Sequence, residues 1–225
     1  ATDPDGDRLS LVSNSGRALG EELTLALAAR LVLRHRPGPL VTNLSSSAVT
    51  EEVAAEAGVP LHRAPVGEIH VVRRMQAVGA VVGGEGNGGV ILPDVQYTRD
   101  AAVAAALVLQ LLLETGATLE QEAARFRPYV IVKEKVRWGA ASGAPAYDTL
   151  QALLPAPEVD RQDGLRLAWP EARKWLHLRP SGTEPILRII AEAPTAGEAQ
   201  ELVQIARQAL LGTLAGLPGG AAAAG

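Results

Sequence analysis

Apolar positions in the first half of the chain alternate between two periods. Over residues 21–35 they recur at helical spacing, with Leu23, Leu27 and Leu31 on one face, and Pro37-Gly38 ends the run. Residues 40–44 then form a short apolar stretch of strand length. The alternation repeats, with a helix over 49–57 closed by Gly58 and a strand over 60–64. It repeats again, with a helix over 69–78 closed by Gly79 and a buried strand over 80–82. That strand runs into a glycine-rich loop followed by Val90-Ile91-Leu92, and an Ala/Leu helix over 99–115 ends at Gly116. Strands alternating with helices predict an α/β domain with a largely parallel sheet.

The pattern changes after Gly116. A short helix over 118–126 opens with Thr118 and Gln121 at the spacing of a capping box, and Arg127-Pro128 reads as a linker. A strand is predicted over 129–136 and a short helix over 147–154. Strands over 164–169 and 174–178 are joined as a hairpin by Pro170-Glu171-Ala172-Arg173. A third strand over 186–191 and a helix over 196–211 follow. This half reads as a smaller α+β domain with an antiparallel sheet. The expected boundaries are a mixed α/β domain over 17–117, the α+β domain over 118–217, and a low-complexity, disordered tail over 218–225. Residues 1–16 are a Gly/Asp/Ser-rich loop around a short apolar stretch, Leu9 to Val12.

Composition narrows the function classes. The 225 residues allow one large domain or two small ones, at ~150 residues per domain. Aromatic residues are 3% against 47% apolar overall, so the core is built from Leu, Val, Ile and Ala. A net charge of -4 offers no basic face for nucleic acid. With no cysteine, disulfides and thiolate metal sites are excluded, which fits a cytoplasmic chain. The most apolar stretch, residues 101–113, is too short to span a membrane. Ala1-Thr2-Asp3-Pro4-Asp5 has neither a basic region nor an apolar run, and no initiator Met. The chain is therefore expected to be a piece of something longer.

Three loops carry candidate chemistry. Asp3-Pro4-Asp5-Gly6-Asp7-Arg8 sets three carboxylates at alternate positions, where a turning backbone can converge them on one hard cation. Mg²⁺ suits such oxygen donors and keeps sites open for a phosphate oxygen, and Arg8 can balance phosphate charge beside it. An EF-hand fails on spacing, because Gly6 comes too early and the twelfth position from Asp3 is Asn14. A solvated acidic turn is the bland alternative. In Gly83-Gly84-Glu85-Gly86-Asn87-Gly88-Gly89 no Walker lysine follows, and Glu85 would repel a pyrophosphate. Glu85 and Asn87 suit the vicinal hydroxyls of a neutral polyol, with the glycines allowing close approach; an ordinary turn is the alternative. Arg179-Pro180-Ser181-Gly182-Thr183-Glu184-Pro185, with Arg188 beyond, offers two guanidinium groups, two hydroxyls and the backbone freedom of Gly182. Those are the parts of a phosphate nest, although a polar loop with a structural Arg has the same composition. His35 and His62 read as surface residues. Glu68 and His70, at the start of a helix, could reach a bound ligand but read more simply as solvated polar residues. Trp138, Trp169 and Trp175 read as packing residues, and Ser45-Ser46-Ser47 as caps for the next helix.

The three loops, in this order, resemble those of the α-D-phosphohexomutase family, which includes phosphomannomutase, phosphoglucomutase and phosphoglucosamine mutase. Asp3 to Arg8 resemble its metal-binding loop. Gly84-Glu85-Gly86-Asn87-Gly88-Gly89 is similar, in a variant form, to its sugar-recognition loop. Arg179 to Pro185 match its phosphate-binding loop. The resemblance implies a four-domain enzyme that interconverts hexose 6-phosphate and 1-phosphate through a bisphosphate intermediate. This chain would hold the end of the second domain, the sugar-recognition third and the phosphate-binding fourth. Asp3, Asp5 and Asp7 would hold Mg²⁺, with Arg8 steadying the transferring phosphoryl group. Glu85, Gly86 and Asn87 would grip the sugar. Arg179, Ser181, Gly182, Thr183 and Arg188 would hold the phosphate that is not reacting.

Nothing in this chain matches the family's phosphoserine loop. The resemblance implies partners in the missing N-terminal domains and in a hexose phosphate substrate, and a fragment inactive alone. The alternative is a non-catalytic sugar-phosphate-binding module. On this reading the phosphate loop lies within a complete domain. The metal loop is the cut edge of another and is expected to lack part of its scaffold.

Overall fold

A computed structural model describes residues 1–138 and 147–215, the last three as backbone alone. The expected tail over 218–225 lies outside the described residues. The chain forms two compact units that divide between Arg127 and Pro128.

The first unit contains α1 (Glu22–His35), β1 (Leu40–Asn43), α2 (Val49–Ala57), β2 (Leu61–Ala64), α3 (Glu68–Val78), β3 (Val82–Glu85), β4 (Gly89–Ile91), α4 (Ala101–Thr115) and α5 (Leu119–Ala123). Its sheet has the order β2-β1-β3-β4. The first three strands are parallel and β4 returns antiparallel to β3. Every residue of β1 is buried, as in a strand covered on both faces. Burial on α1 is wider than the Leu23-Leu27-Leu31 stripe. Residues 24–29 and 31–33 are all buried, because the helix packs on α2, α4 and β3 together.

Local chemistry sets the helix ends. Gly58 adopts the left-handed conformation (φ 66°) and its N–H closes the last turn of α2. The last helix of the predicted first domain starts at Ala101 rather than residue 99, because the Asp100 side chain caps it by accepting from Ala102 N and Val103 N.

Two features depart from the sequence pattern. The glycine-rich segment is largely strand, since Gly83, Gly84 and Glu85 belong to β3. A Cβ on Gly83 would lie 2.6 Å from Met75 Sδ and 2.8 Å from Val41 O, so glycine here permits close packing inside the sheet. The second departure is α5, which forms the predicted Thr118/Gln121 capping box. It lies in the first unit, whereas the sequence pattern groups it with the second half. The buried Glu122 carboxylate ties it to α1 through Arg30 Nη1 at 3.0 Å. The break between units falls instead at the predicted linker, Arg127-Pro128.

The second unit contains β5 (Val130–Arg137), α6 (Tyr147–Leu153), β6 (Glu158–Asp160), β7 (Leu165–Trp169), β8 (Lys174–Pro180), β9 (Ile186–Ala193) and α7 (Ala196–Ala215). Its sheet is antiparallel throughout, in the order β5-β9-β8-β7-β6. The edge strand β6 is unexpected; its three residues are too few and too polar to show a period. Leu165, Leu176, Leu178, Leu187 and Ile189 on the sheet pack with Val203 and Ala206 of α7 as the core. Trp175 is buried, with the Arg166 guanidinium 5.4 Å from its ring centroid. Among the described residues, no helix is long and apolar enough to cross a membrane.

Candidate functional site

The metal loop is built as a closed turn. Thr2 and Leu9 form an antiparallel bridge at its base. Asp3 N donates to Arg8 O at 3.3 Å and Gly6 N to Asp3 O at 3.1 Å, curling the carboxylates inward. One carboxylate oxygen from each of Asp3, Asp5 and Asp7 lies within 4.8 Å of the others. Two guanidinium groups flank this cluster. Arg8 Nε sits 2.5 Å from Asp3 Oδ2 and 3.5 Å from Asp7 Oδ1. Arg99 Nη2 pairs with Asp7 Oδ2. Burial raises Asp3, but hydrogen bonds from the Arg8 side chain and backbone outweigh it and bring its pKa down to about 2. Burial raises Asp7 as well, opposed by the charge of Arg99.

These residues fit a divalent cation. The donor set is all oxygen, the chemistry of Mg²⁺ and Ca²⁺ rather than of thiophilic metals. Asp7 Oδ1 is also buried and accepts no hydrogen bond among the described residues, as an oxygen reserved for a cation would be.

Contacts from the first unit hold the metal loop. Leu9 N donates to Gly88 O at 3.0 Å, and Ala101 N, at the start of α4, donates to Gly6 O at 3.2 Å. Thr24 Oγ1 on α1 donates to Leu9 O at 2.8 Å. Gly88 is required at this junction: its φ is 90°, and a Cβ would lie 2.5 Å from Leu9 O. The metal loop is thus fastened to the sugar-recognition loop and belongs to the first unit.

Glu85, Gly86 and Asn87 lie at the end of β3 and the tip of the β3–β4 hairpin, beyond the carboxyl ends of the parallel strands. Ligands of open α/β sheets characteristically gather there. Asn87 lines a cleft of about 220 Å³ together with Asp3, Arg8, Ser10 and Glu21. Glu85 is 4% exposed and does not line it. Its Oε1 accepts from Asn43 Nδ2 at 2.8 Å and from Gly67 N at 3.0 Å. Its Oε2 faces Arg99 Nη1 at 3.5 Å. Gly86 N donates to Ser46 Oγ at 2.9 Å, so one of the predicted cap serines braces the hairpin instead. Ser47 keeps the capping part, accepting from Val49 N at 3.1 Å.

Asn43, Ser46 and Arg99 hold the hairpin although no sequence motif marks them. Asn43 had a signal, as a polar residue ending an otherwise apolar buried strand. Glu68 is no solvated helix start: it accepts from Thr98 Oγ1 at 2.6 Å and Arg99 N at 2.7 Å. Burial pushes its pKa up, but these bonds and the Arg99 charge bring it below the usual range. His70 is exposed, and His35 pairs with Glu114 on the surface at 2.9 Å.

In the second unit, the phosphate loop links β8 to β9. Arg179 lies directly opposite Arg188, and Arg188 opposite Lys135 of β5, so three cations share a row across three strands. Like charges directly opposite each other repel. Asp163 Oδ2 accepts from Arg179 Nε at 2.9 Å, and Glu184 Oε2 from Arg188 Nη2 at 3.3 Å. Arg188 Nε is buried and donates no hydrogen bond among the described residues. Ser181 Oγ faces Thr183 N at 3.4 Å and Glu184 N at 3.3 Å, bending the loop into a small nest. Gly182 and Thr183 are exposed at its tip.

Comparison with known proteins gives the architecture a family. Residues 20–129 match the domain described as phosphoglucomutase/phosphomannomutase, alpha/beta/alpha domain III. Residues 130–209 match the C-terminal domain of the same family. The chain belongs to the phosphoglucomutase/phosphomannomutase family of α-D-phosphohexomutases, of which it carries these two domains. Among its relatives, a probable phosphoglucosamine mutase of Methanopyrus kandleri is 35% identical over 205 residues, covering 90% of this chain and 45% of the relative. A phosphoglucomutase/phosphomannomutase of Thermococcus kodakarensis is 31% identical over 207 residues, covering 91% of this chain and 45% of the relative. The chain thus spans a little under half the length of the curated relatives it matches. A crystal structure of a phosphoglucomutase/phosphomannomutase family protein from Burkholderia thailandensis shares the fold with a TM-score of 0.79 at 24% identity, over 97% of this chain and 47% of that one. Aspergillus fumigatus N-acetylphosphoglucosamine mutase, solved with GlcNAc-6P and magnesium, shares it at 0.66 and 18% identity, over 92% of this chain and 51% of that one.

Proposed function

We propose that this chain is the cation-binding and substrate-gripping part of a phosphohexomutase that interconverts hexose 6-phosphate and hexose 1-phosphate through a bisphosphate. The phosphoryl donor, a phosphoserine on the family resemblance, belongs to the N-terminal domains of the relatives. The observation that carries the reading is the cleft of about 220 Å³ on which Asp3, Arg8 and Asn87 converge.

In this reading Asp3, Asp5 and Asp7 hold Mg²⁺, which supplies charge neutralisation for the transferring phosphoryl group. Arg8 keeps a second positive charge beside that group. Asn87 faces the sugar hydroxyls, and Gly86, whose N–H is held by Ser46 Oγ, shapes the hairpin that presents it. Glu85, buried with Oε1 held by Asn43 and Gly67 and Oε2 facing Arg99, braces the hairpin. Arg179 and Arg188, with Ser181, Gly182 and Thr183, grip a phosphate that is not reacting. A bound dianion relieves the repulsion within the cationic row, so the grip stabilises the complex before chemistry begins. Because that grip is blind to which phosphate it holds, the bisphosphate can bind in either orientation.

The test is an assay of the full-length protein on glucose, mannose and glucosamine phosphates. Interconversion of 1- and 6-phosphates is expected for at least one sugar, with no turnover by the 225-residue chain alone. Binding without turnover in the full-length protein would leave the non-catalytic module standing instead.

A further inference from the structure

Arg99 stands where three carboxylates from three separate segments meet. Its Nη2 pairs with Asp7 Oδ2 in the metal loop. Its Nη1 lies 3.5 Å from Glu85 Oε2 in the sugar-recognition hairpin. Its Nε lies 3.5 Å from Glu68 Oε2, and Glu68 also accepts from Arg99 N at 2.7 Å. The side chain is 19% exposed, so these pairs are largely shielded from water. The hairpin leaves room for it: a Cβ on Gly89 would run into Arg99 Cδ and lie 2.9 Å from Cγ. Asp100, its neighbour, caps α4, which fixes the backbone from which the side chain extends.

The division of the Asp7 oxygens gives this arrangement a purpose. Arg99 takes Oδ2, while Oδ1 stays buried without a hydrogen bond, on the side of the loop where Arg8 and Asp3 lie. Resting on the metal reading above, we infer that Arg99 is a positioning residue for the cation site. It holds Asp7 by one oxygen so that the other is presented to the cation, and its braces on Glu68 and Glu85 tie that presentation to the sugar-recognition hairpin. Outer partners of this kind fix the orientation and basicity of metal-binding carboxylates.

The test is Mn²⁺ binding to the 225-residue chain, read from the free-ion EPR signal with Mg²⁺ as competitor. Arg99→Gln is expected to weaken binding by roughly 10- to 100-fold. Arg99→Lys recovers part of the loss, since it keeps the charge but not the fork, and it serves as the test if Arg99→Gln fails to fold. Gly89→Ala, which leaves every charge in place but displaces the Arg99 stem, weakens binding several-fold. Glu68→Gln weakens it in the wild-type background and adds nothing to Arg99→Gln. Unchanged or tighter binding in Arg99→Gln overturns the inference, because a guanidinium that merely competes with the cation for Asp7 would free the site on removal. Absence of Mn²⁺ binding by the wild-type chain overturns the metal reading itself, a distinct result.

Discussion

The metal loop and the phosphate loop carry similar tools, arginines beside oxygen-rich turns, yet they are held in opposite ways. The metal loop is fixed by backbone: Leu9 on Gly88, Gly6 on Ala101, and the Thr24 hydroxyl on Leu9. The phosphate loop is fixed by β8 and β9 at its ends, where Ser181 N donates to Ile186 O and Ile186 N to Glu184 O, and its exposed tip faces Ser181 Oγ over longer distances. Its strength is electrostatic instead, an Arg–Arg–Lys row partly compensated by Asp163 and Glu184. On the proposed reading the first loop serves a small cation, whose ligands must be placed to within tenths of an ångström, so geometry comes first there. A phosphate presents several oxygens and two charges, so a cationic row tolerates a looser loop.

That contrast can be broken at four points. Arg179→Ala should cost the most. Loss of a charged fork against phosphate is expected to weaken hexose 6-phosphate binding by about 3 kcal/mol, on the order of 100-fold, with Mn²⁺ binding unchanged. Calorimetric titration of both ligands checks this. Gly88→Ala should do the reverse. The new Cβ meets Leu9 O where φ is 90°, so the first unit should lose about 2–3 kcal/mol and the metal loop its anchor. Differential scanning calorimetry reads the loss. All three tryptophans, Trp138, Trp169 and Trp175, lie in the second unit, so their fluorescence melt should not move.

The third point is pH. His177, on β8 two residues before Arg179, is fully buried, and its Nε2–H donates to Asp163 O at 2.7 Å. Burial drives its pKa down from 6.5 to about 4, so the folded chain keeps it neutral. Between those values the unfolded chain binds a proton that the folded chain refuses. Stability of the second unit should therefore fall as pH drops through 6.5 toward 4, by about 2 kcal/mol from pH 7 to 5. Tryptophan-monitored melts should show the slope, and His177→Asn should flatten it. Asp3, lowered to about 2, contributes its loss only below its ordinary 3.8, outside that window. The smallest effect is expected from Asp163→Asn. It keeps a hydrogen-bond acceptor for Arg179 Nε but removes a negative charge beside the cationic row, which should tighten phosphate binding by about 1 kcal/mol, roughly fivefold, without shifting the Mn²⁺ isotherm.

Much of this was legible from the chain. Helical periods ended by Gly58, Gly79 and Gly116 gave α2, α3 and α4, and the Thr118–Gln121 spacing gave a capping box that forms as expected. The three candidate loops stand out along the chain because each concentrates its polar and charged groups in a few consecutive residues. What escaped depends on partners distant in sequence. Glu122 draws α5 into the first unit through an arginine 92 residues away. Gly83 and Gly84 look like loop residues, yet serve as strand because Met75 and Leu25 press against them. Arg99 carries no motif of its own; its meaning appears only when Asp7, Glu68 and Glu85 are brought around it. The scaffold of the metal loop escaped for the same reason, since Gly88 supplies it from 79 residues beyond Leu9.

The central claim is that this chain holds a working grip on a hexose phosphate. Titrating the wild-type chain and Arg179→Ala, each with Mg²⁺, against glucose 6-phosphate, mannose 6-phosphate and glucosamine 6-phosphate tests it most directly. The account predicts saturable wild-type binding to at least one of the three, lost in the variant. No saturable binding to any of them, or equal affinity in the variant, would contradict it.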